Sequence, residues 1–146
     1  MSDNGAIDII AMIEDEFGVE RKVLERMGLE LDIRKNGRIY ARSIQCSSVL
    51  CDKLRKVGGY KQVFYFGKLE KDGFRPSMDA CALLGPFATK NILEIGDEDV
   101  VRWLQGQDIE GDAVGYVIIR WRNFFVGCGK GNGKVIRNFV PKSRRI

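Results

Sequence analysis

Near the start of the chain apolar residues recur at helical spacing: Ala6, Ile9, Ile10, Ile13 and Phe17, with Gly18 where a helix would stop. Glu14, Asp15 and Glu16 lie largely off that stripe. A second short helix is expected from Glu20 to Met27, ended by Gly28. The period then shortens. Leu29, Leu31 and Ile33 alternate with charged residues, Asn36-Gly37 follows, and Arg38-Ile-Tyr-Ala-Arg42 reads as a strand. Alternation on both sides of Asn-Gly predicts a hairpin with a type I′ turn, which needs positive φ at both central positions. Residues 44–57 fit helix or loop equally well. Residues 60–68 are rich in aromatic and branched side chains and read as a strand, Lys71-Asp-Gly73 as a turn, and Arg75-Pro-Ser77 as the opening of a short helix through Leu84.

Gly85-Pro86 punctuates the middle of the chain and is the expected subdomain boundary. After it, residues 91–95 read as a strand, and Asp97 is placed to cap a helix to about Leu104. That helix would turn Val100, Val101 and Leu104 inward and close at Gly106. Residues 116–121 predict a strand, and residues 124–140 a hairpin with Gly131-Asn-Gly133 at its tip. The expected fold is α+β, with a mostly antiparallel second half closing as a small barrel.

Composition narrows the class. The chain has 146 residues, 45% hydrophobic and 30% charged, which suits one ordinary domain or two small subdomains and excludes wholesale disorder. Apolar runs are strand-sized, and the first residues lack the basic start and apolar stretch of a leader, so a cytoplasmic location is expected. Cys46, Cys51, Cys81 and Cys128 are unevenly spaced and there is no histidine, so reduced, mostly buried thiols are expected rather than a metal site. The lack of histidine also excludes a histidine-dependent catalytic triad.

Charge is polarised along the chain. Nine carboxylates stand against Arg21, Lys22 and Arg26 in the first 32 residues. The last 34 contain no acidic residue and carry Arg120, Arg122, Lys130, Lys134, Arg137, Lys142, Arg144 and Arg145. A basic, glycine-rich, aromatic-bearing end suits a polyanion; its bland counterpart is a solvated strand face. In Arg120-Trp121-Arg122, strand alternation would set both arginines on one face as phosphate-directed cations and turn Trp121 toward the core. The glycines at 127, 129, 131 and 133 would admit a close backbone approach by nucleic acid.

Two motifs fail on inspection. Asn91-Ile-Leu-Glu-Ile-Gly96 opens like a methyltransferase cofactor motif, but Asp-Glu-Asp follows with no second glycine, and too little chain remains for a doubly wound sheet. Residues 127–134 miss the phosphate-loop spacing and precede a strand, not a helix. No cofactor is expected.

The order of motifs nevertheless resembles a known family. Gly115-Tyr-Val-Ile-Ile-Arg-Trp-Arg-Asn-Phe-Phe-Val-Gly-Cys-Gly-Lys130, then Gly133-Lys-Val-Ile-Arg-Asn138 and Pro141-Lys142, resembles the C-terminal PUA-like module of Sun/RsmF-type RNA cytosine-5 methyltransferases. Trp103-Leu-Gln-Gly106, Arg75-Pro-Ser77 with Ala82-Leu-Leu-Gly85, and Phe17-Gly-Val19 with Gly37-Arg-Ile-Tyr40 extend the likeness upstream. Phe125-Val126 and Phe139-Val140 depart from the family's pattern. In such enzymes the attacking cysteine follows Pro or Thr, and none of the four cysteines here does.

The resemblance implies an N-terminal α/β subdomain over residues 1–86 and a PUA-like small β-barrel over residues 87–146. It implies a noncatalytic protein that binds structured RNA, tRNA or rRNA, in support of RNA modification or ribosome assembly. The expected RNA contacts are Arg120, Arg122, Lys130, Lys134, Arg137 and Lys142, with Asn138 toward a base edge or ribose and Arg75 from the first subdomain. The alternative is a protein-interaction adaptor that docks onto a separate RNA methyltransferase or ribosome-assembly factor through its acidic first helix.

Overall fold

The computed structural model describes residues 8–43 and 63–146. Ala6, Cys46, Cys51 and the ambiguous stretch 44–57 lie outside the described residues.

Helix α1 (Ile9–Phe17) begins at Asp8, whose carboxylate accepts from the Ala11 amide at 3.0 Å, and ends at Gly18 with φ 65°. Ile9, Ile13 and Phe17, one face at i, i+4 and i+8, are buried. Helix α2 (Arg21–Arg26) buries Leu24. Strands β1 (Leu29–Ile33) and β2 (Arg38–Ser43) form the expected hairpin, with a different turn. The Gly37 amide donates to the Arg34 carbonyl at 3.0 Å and the Arg34 amide to the Arg38 carbonyl at 2.8 Å. Only Gly37, at φ 87°, is left-handed there. This is a three-residue loop with a bulge glycine, not a two-residue type I′ turn.

Strands β3 (Val63–Glu70) and β4 (Gly73–Pro76) complete an antiparallel sheet in the order β1-β2-β3-β4. Arg75 and Pro76 belong to β4, and the helix expected from Arg75 starts only after Ser77. The Ser77 hydroxyl accepts from the Ala80 amide at 3.0 Å and caps α3 (Met78–Leu84).

Strand β5 (Ile92–Glu94) leads into α4 (Asp97–Leu104), whose N-cap is Gly96 rather than Asp97. Asp97, Glu98 and Asp99 occupy the first turn, where carboxylates suit the helix dipole. Val100 and Trp103 are its buried residues, whereas Val101, expected inward, is 48% exposed. Strands β6 (Ile109–Glu110), β7 (Val114–Trp121), β8 (Phe124–Asn132) and β9 (Val135–Asn138) follow. They give a second sheet, order β5-β7-β8-β9-β6, that curls into a half-barrel. The β5–β7 pair is parallel, because α4 carries the chain across the sheet between them, and the other three pairs are antiparallel, in keeping with a mostly antiparallel second half.

Strand β7 is covered on both faces. Tyr116 and Ile118 join the core of α1, α3 and the first sheet, where Phe17, Phe66, Phe74 and Leu84 meet. Val117 and Ile119 face a second core built on Trp103, Ile136 and Val140. Two covered faces explain why Tyr116-Val-Ile-Ile is an unbroken apolar run rather than an alternation. Cys81 and Cys128 are buried free thiols, and burial pushes the Cys81 thiol well above its ordinary range. Among the described residues no helix is long and apolar enough to cross a membrane.

Candidate nucleic-acid interface

Strand β8 spreads the basic segment out. Arg122 precedes its first residue while Lys130 lies near its far end, about 20 Å away along the strand. The nominated cations therefore fall into two groups.

At the β7–β8 turn, Arg122 is not in the strand; it takes φ 55° in the turn, so it does not share a strand face with Arg120. Its guanidinium pairs with Asp97 at 2.8 Å and sits 5.0 Å from the Trp121 ring centroid. The Trp121 indole donates to the same carboxylate at 2.7 Å. The Arg122 hydrogen bond, then that of Trp121, holds the Asp97 carboxyl below its usual range. Arg120 donates through Nε to the Arg122 carbonyl at 2.8 Å and lies 4.0 Å from Glu94. These groups tie the start of α4 to the turn. Trp121 stands at the margin of the second core, stacked on the exposed Phe124 ring at 5.8 Å.

The second group forms where the two sheets meet. Lys130 is the register partner of both Tyr116 and Arg137. Its ammonium pairs with Asp72 in the β3–β4 turn and lies 5.3 Å from the Tyr116 ring centroid. The Tyr116 hydroxyl donates to Asp72 at 2.9 Å. Lys130, then Tyr116, lowers the Asp72 carboxyl, while burial and then Asp72 push the Tyr116 phenol up. The Phe139 ring, 6.3 Å from that of Tyr116, lies near two guanidiniums: Arg75 at 4.6 Å and Arg137 at 5.6 Å.

From Phe139 the pattern continues onto the outer face of the first sheet. Alternation in β2 buries Ile39 and Ala41, so Arg38 and Tyr40 face out. Arg38 sits 6.0 Å from the Tyr65 ring, Tyr65 lies 5.6 Å from Tyr40, and Arg34 covers Tyr40 at 4.6 Å. A cavity of about 290 Å³ joins the halves, lined by Arg38, Tyr65, Arg75 and Phe139 among others. The result is a band of alternating cations and aromatic rings across both sheets.

The structure thus brings together Arg75, Lys130 and Arg137 and sets Arg120 and Arg122 apart. Lys134 is exposed at the β8–β9 turn and Lys142 in the last short helical turn. Asn138 is engaged by the protein itself: its amide donates to the Trp103 and Gln107 carbonyls at 2.7 and 2.9 Å, and its oxygen accepts from the Val140 amide at 2.7 Å. Glycines 129 and 131 are also taken by the protein rather than left for nucleic acid. A Cβ on Gly129 would lie 2.4 Å from Ile136, and one on Gly131 would lie 2.0 Å from the Ala113 carbonyl oxygen. Sequence reasoning missed Arg38, Tyr65 and Phe139. The Arg38-Ile-Tyr40 alternation was a usable signal for the first, but the meeting of β3 with the chain after β9 was not visible locally.

Residues 90–146, which include β5 to β9, match the family model described as the methyltransferase RsmF PUA domain. This part of the chain is similar to the PUA-like module of RsmF-type methyltransferases. Over 75 residues, 49% of the chain, it is 28% identical to the ribosomal RNA small subunit methyltransferase F of Aeromonas hydrophila. The chain covers 16% of that relative's length.

Proposed function

We propose that this chain is a noncatalytic RNA-binding module that grips structured RNA, tRNA or rRNA, and supports RNA modification or ribosome assembly. The observation that carries the proposal is the band itself, with Arg38, Arg75, Arg137 and Lys130 beside the rings of Tyr65, Phe139 and Tyr116. Cations close to phosphates supply most of nucleic-acid affinity by releasing counterions, and rings interleaved with them add stacking and cation–π surface. Lys134 and Lys142 extend the positive field at its margins. Arg120 and Arg122 contribute less, because they lie at the β7–β8 turn, apart from the band. Carboxylates meet cations in both groups, Glu70 and Asp72 at Arg75 and Lys130 as Glu94 and Asp97 do at Arg120 and Arg122.

Binding of labelled tRNA by fluorescence anisotropy across a salt series tests this. Three to four phosphate contacts give a slope of log affinity on log salt of about −3. The Arg75→Glu/Arg137→Glu double variant is expected to make that slope shallower by about two units and weaken binding at least tenfold. The Arg120→Glu/Arg122→Glu variant moves it less. Unchanged affinity in a folded Arg75→Glu/Arg137→Glu protein overturns the assignment. No binding at low salt favours instead docking onto an RNA methyltransferase or assembly factor. In that reading docking runs through the acidic first helix, where Glu14 and Asp15 are exposed, or through the apolar groove of Trp121, Phe124, Phe125, Leu104 and Pro86, where Phe124 is 60% exposed.

A further inference from the structure

The cavity at the seam between the sheets has more in it than phosphate binding needs. Its volume, about 290 Å³, is at the lower end of the range for small-ligand pockets, room for one flat fragment and not for a strand of bases. Two guanidiniums and two aromatic rings line it, with Pro76 and Met78 supplying apolar wall.

The two rings are not equivalent. Phe139 already has Arg75 at 4.6 Å and Arg137 at 5.6 Å. Tyr65 has only Arg38, at 6.0 Å, and the Tyr40 ring tilted at 58° beside it. Its hydroxyl makes no hydrogen bond among the described residues. A half-buried phenol ring on the cavity wall, with cations beside it and no hydroxyl partner among the described residues, is more than a surface that meets only duplex phosphates requires. Paired bases in an A-form helix are stacked on one another and present no π face, whereas an extruded base stacks on aromatic rings and guanidinium planes.

We infer that this cavity holds one unpaired nucleobase of the bound RNA, stacked on Tyr65, with the phosphates on either side of it held by Arg38 and Arg75. The inference rests on the RNA-binding function proposed above and deepens it. The RNA that this chain selects carries an unpaired nucleotide, a bulge or loop base, next to the stem gripped by Arg137 and Lys130. Stacking is tolerant of base identity, so the site selects an unpaired position rather than a sequence.

The test uses the full chain and two RNA hairpins of the same stem, one with a single bulged 2-aminopurine and one with that base paired. The wild-type protein is expected to bind the bulged RNA about 5- to 150-fold more tightly, the range that one base–aromatic stack provides. The 2-aminopurine fluorescence should change on binding of the bulged RNA. Tyr65→Ala should abolish the preference, lowering affinity for the bulged RNA by more than for the paired hairpin until the two are equal, and Tyr65→Phe, which keeps the ring, should retain it. Thermal unfolding checks each variant, and Tyr65→Leu replaces Tyr65→Ala if the alanine protein is unfolded. Equal wild-type affinity for both hairpins overturns the base pocket and leaves RNA binding standing. A preference that survives loss of the ring overturns it too, and failure to bind either RNA removes both proposals.

Discussion

Tyr116 carries several duties at one position. Its ring packs in the first core beside Ile118, its edge approaches Phe139, and its hydroxyl reaches out to Asp72, which Lys130 also grips. Burial and the Asp72 carboxylate both favour the neutral phenol, so its folded pKa is raised above the ordinary value of 10.0. A group whose proton is held more tightly in the folded state stabilises fully below its unfolded pKa and loses that contribution as pH rises through the folded one. The stability advantage of the wild type over Tyr116→Phe, about 1–2 kcal/mol for a hydrogen bond to a charged acceptor, should be constant from about pH 6 to 9 and shrink above about 10. Asp72 has the opposite sign: its lowered pKa contributes above the unfolded carboxylate value and fades as pH falls through the folded one. Urea unfolding of both proteins from below the ordinary carboxylate range to above about pH 10 would show the two flanks, and an advantage unchanged at alkaline pH would refute the assignment.

At the scale of elements, Asn138 is the fastener between β9 and the end of α4. The last carbonyls of a helix have no intrahelical donors. The Asn138 side-chain amide supplies Trp103, in the last turn, and Gln107 just beyond it, while the β9 end is held again by the Asn138 backbone N–H donating to the Asp108 carboxylate at 2.9 Å. Trp103 itself is fully buried and donates through its indole to the Val126 carbonyl at 2.7 Å. One side chain thus locks the short β9 against the second core. Asn138→Ala should cost about 1–3 kcal/mol of stability, because it removes three hydrogen bonds and leaves the part-buried Val140 amide without its acceptor, although the Trp103 carbonyl keeps the Gly106 amide at 3.0 Å, and it should leave the salt slope of RNA binding unchanged. A variant of undiminished stability with weakened RNA affinity would return Asn138 to the role of a base contact.

At the scale of the whole molecule, the two sheets share one core. Tyr116, Ile118 and Cys128 of the second sheet are buried among Phe17, Phe66, Phe74 and Leu84 of the first half. Contacts of α3 with β8 run through the same seam that carries the cation–aromatic band. The proposed binding surface and the shared core are therefore one feature seen from outside and inside. The full chain should unfold in a single cooperative transition, and residues 87–146 expressed alone should melt well below it or fail to fold, since apolar faces of β7 and β8 lose their cover. Two separate calorimetric transitions in the full chain would instead show halves that fold independently.

Where local periodicity was strong, the chain declared its elements. The stripe Ile9, Ile13 and Phe17, the strands flanking Gly37 and the hairpin around Gly133 stand where their spacing put them. The same is true of the α+β class and of the PUA-like motif order in the C-terminal part. Details set by single side chains escaped: the bulged three-residue turn at Gly37, Gly96 as the cap of α4 and the exposure of Val101. Charge was the most misleading guide. Counting along the chain gives eight basic residues in one segment. It cannot say that carboxylates from elsewhere come to meet Arg120, Arg122, Lys130 and Arg144, as Glu94, Asp97, Asp72 and Asp79 do. Elements follow from interactions a few residues apart, which a linear pattern records. The proposed binding surface depends on which strands lie side by side, and the tertiary structure alone sets Arg38, Tyr65 and Arg75 of one sheet beside Phe139, which follows the last strand of the other.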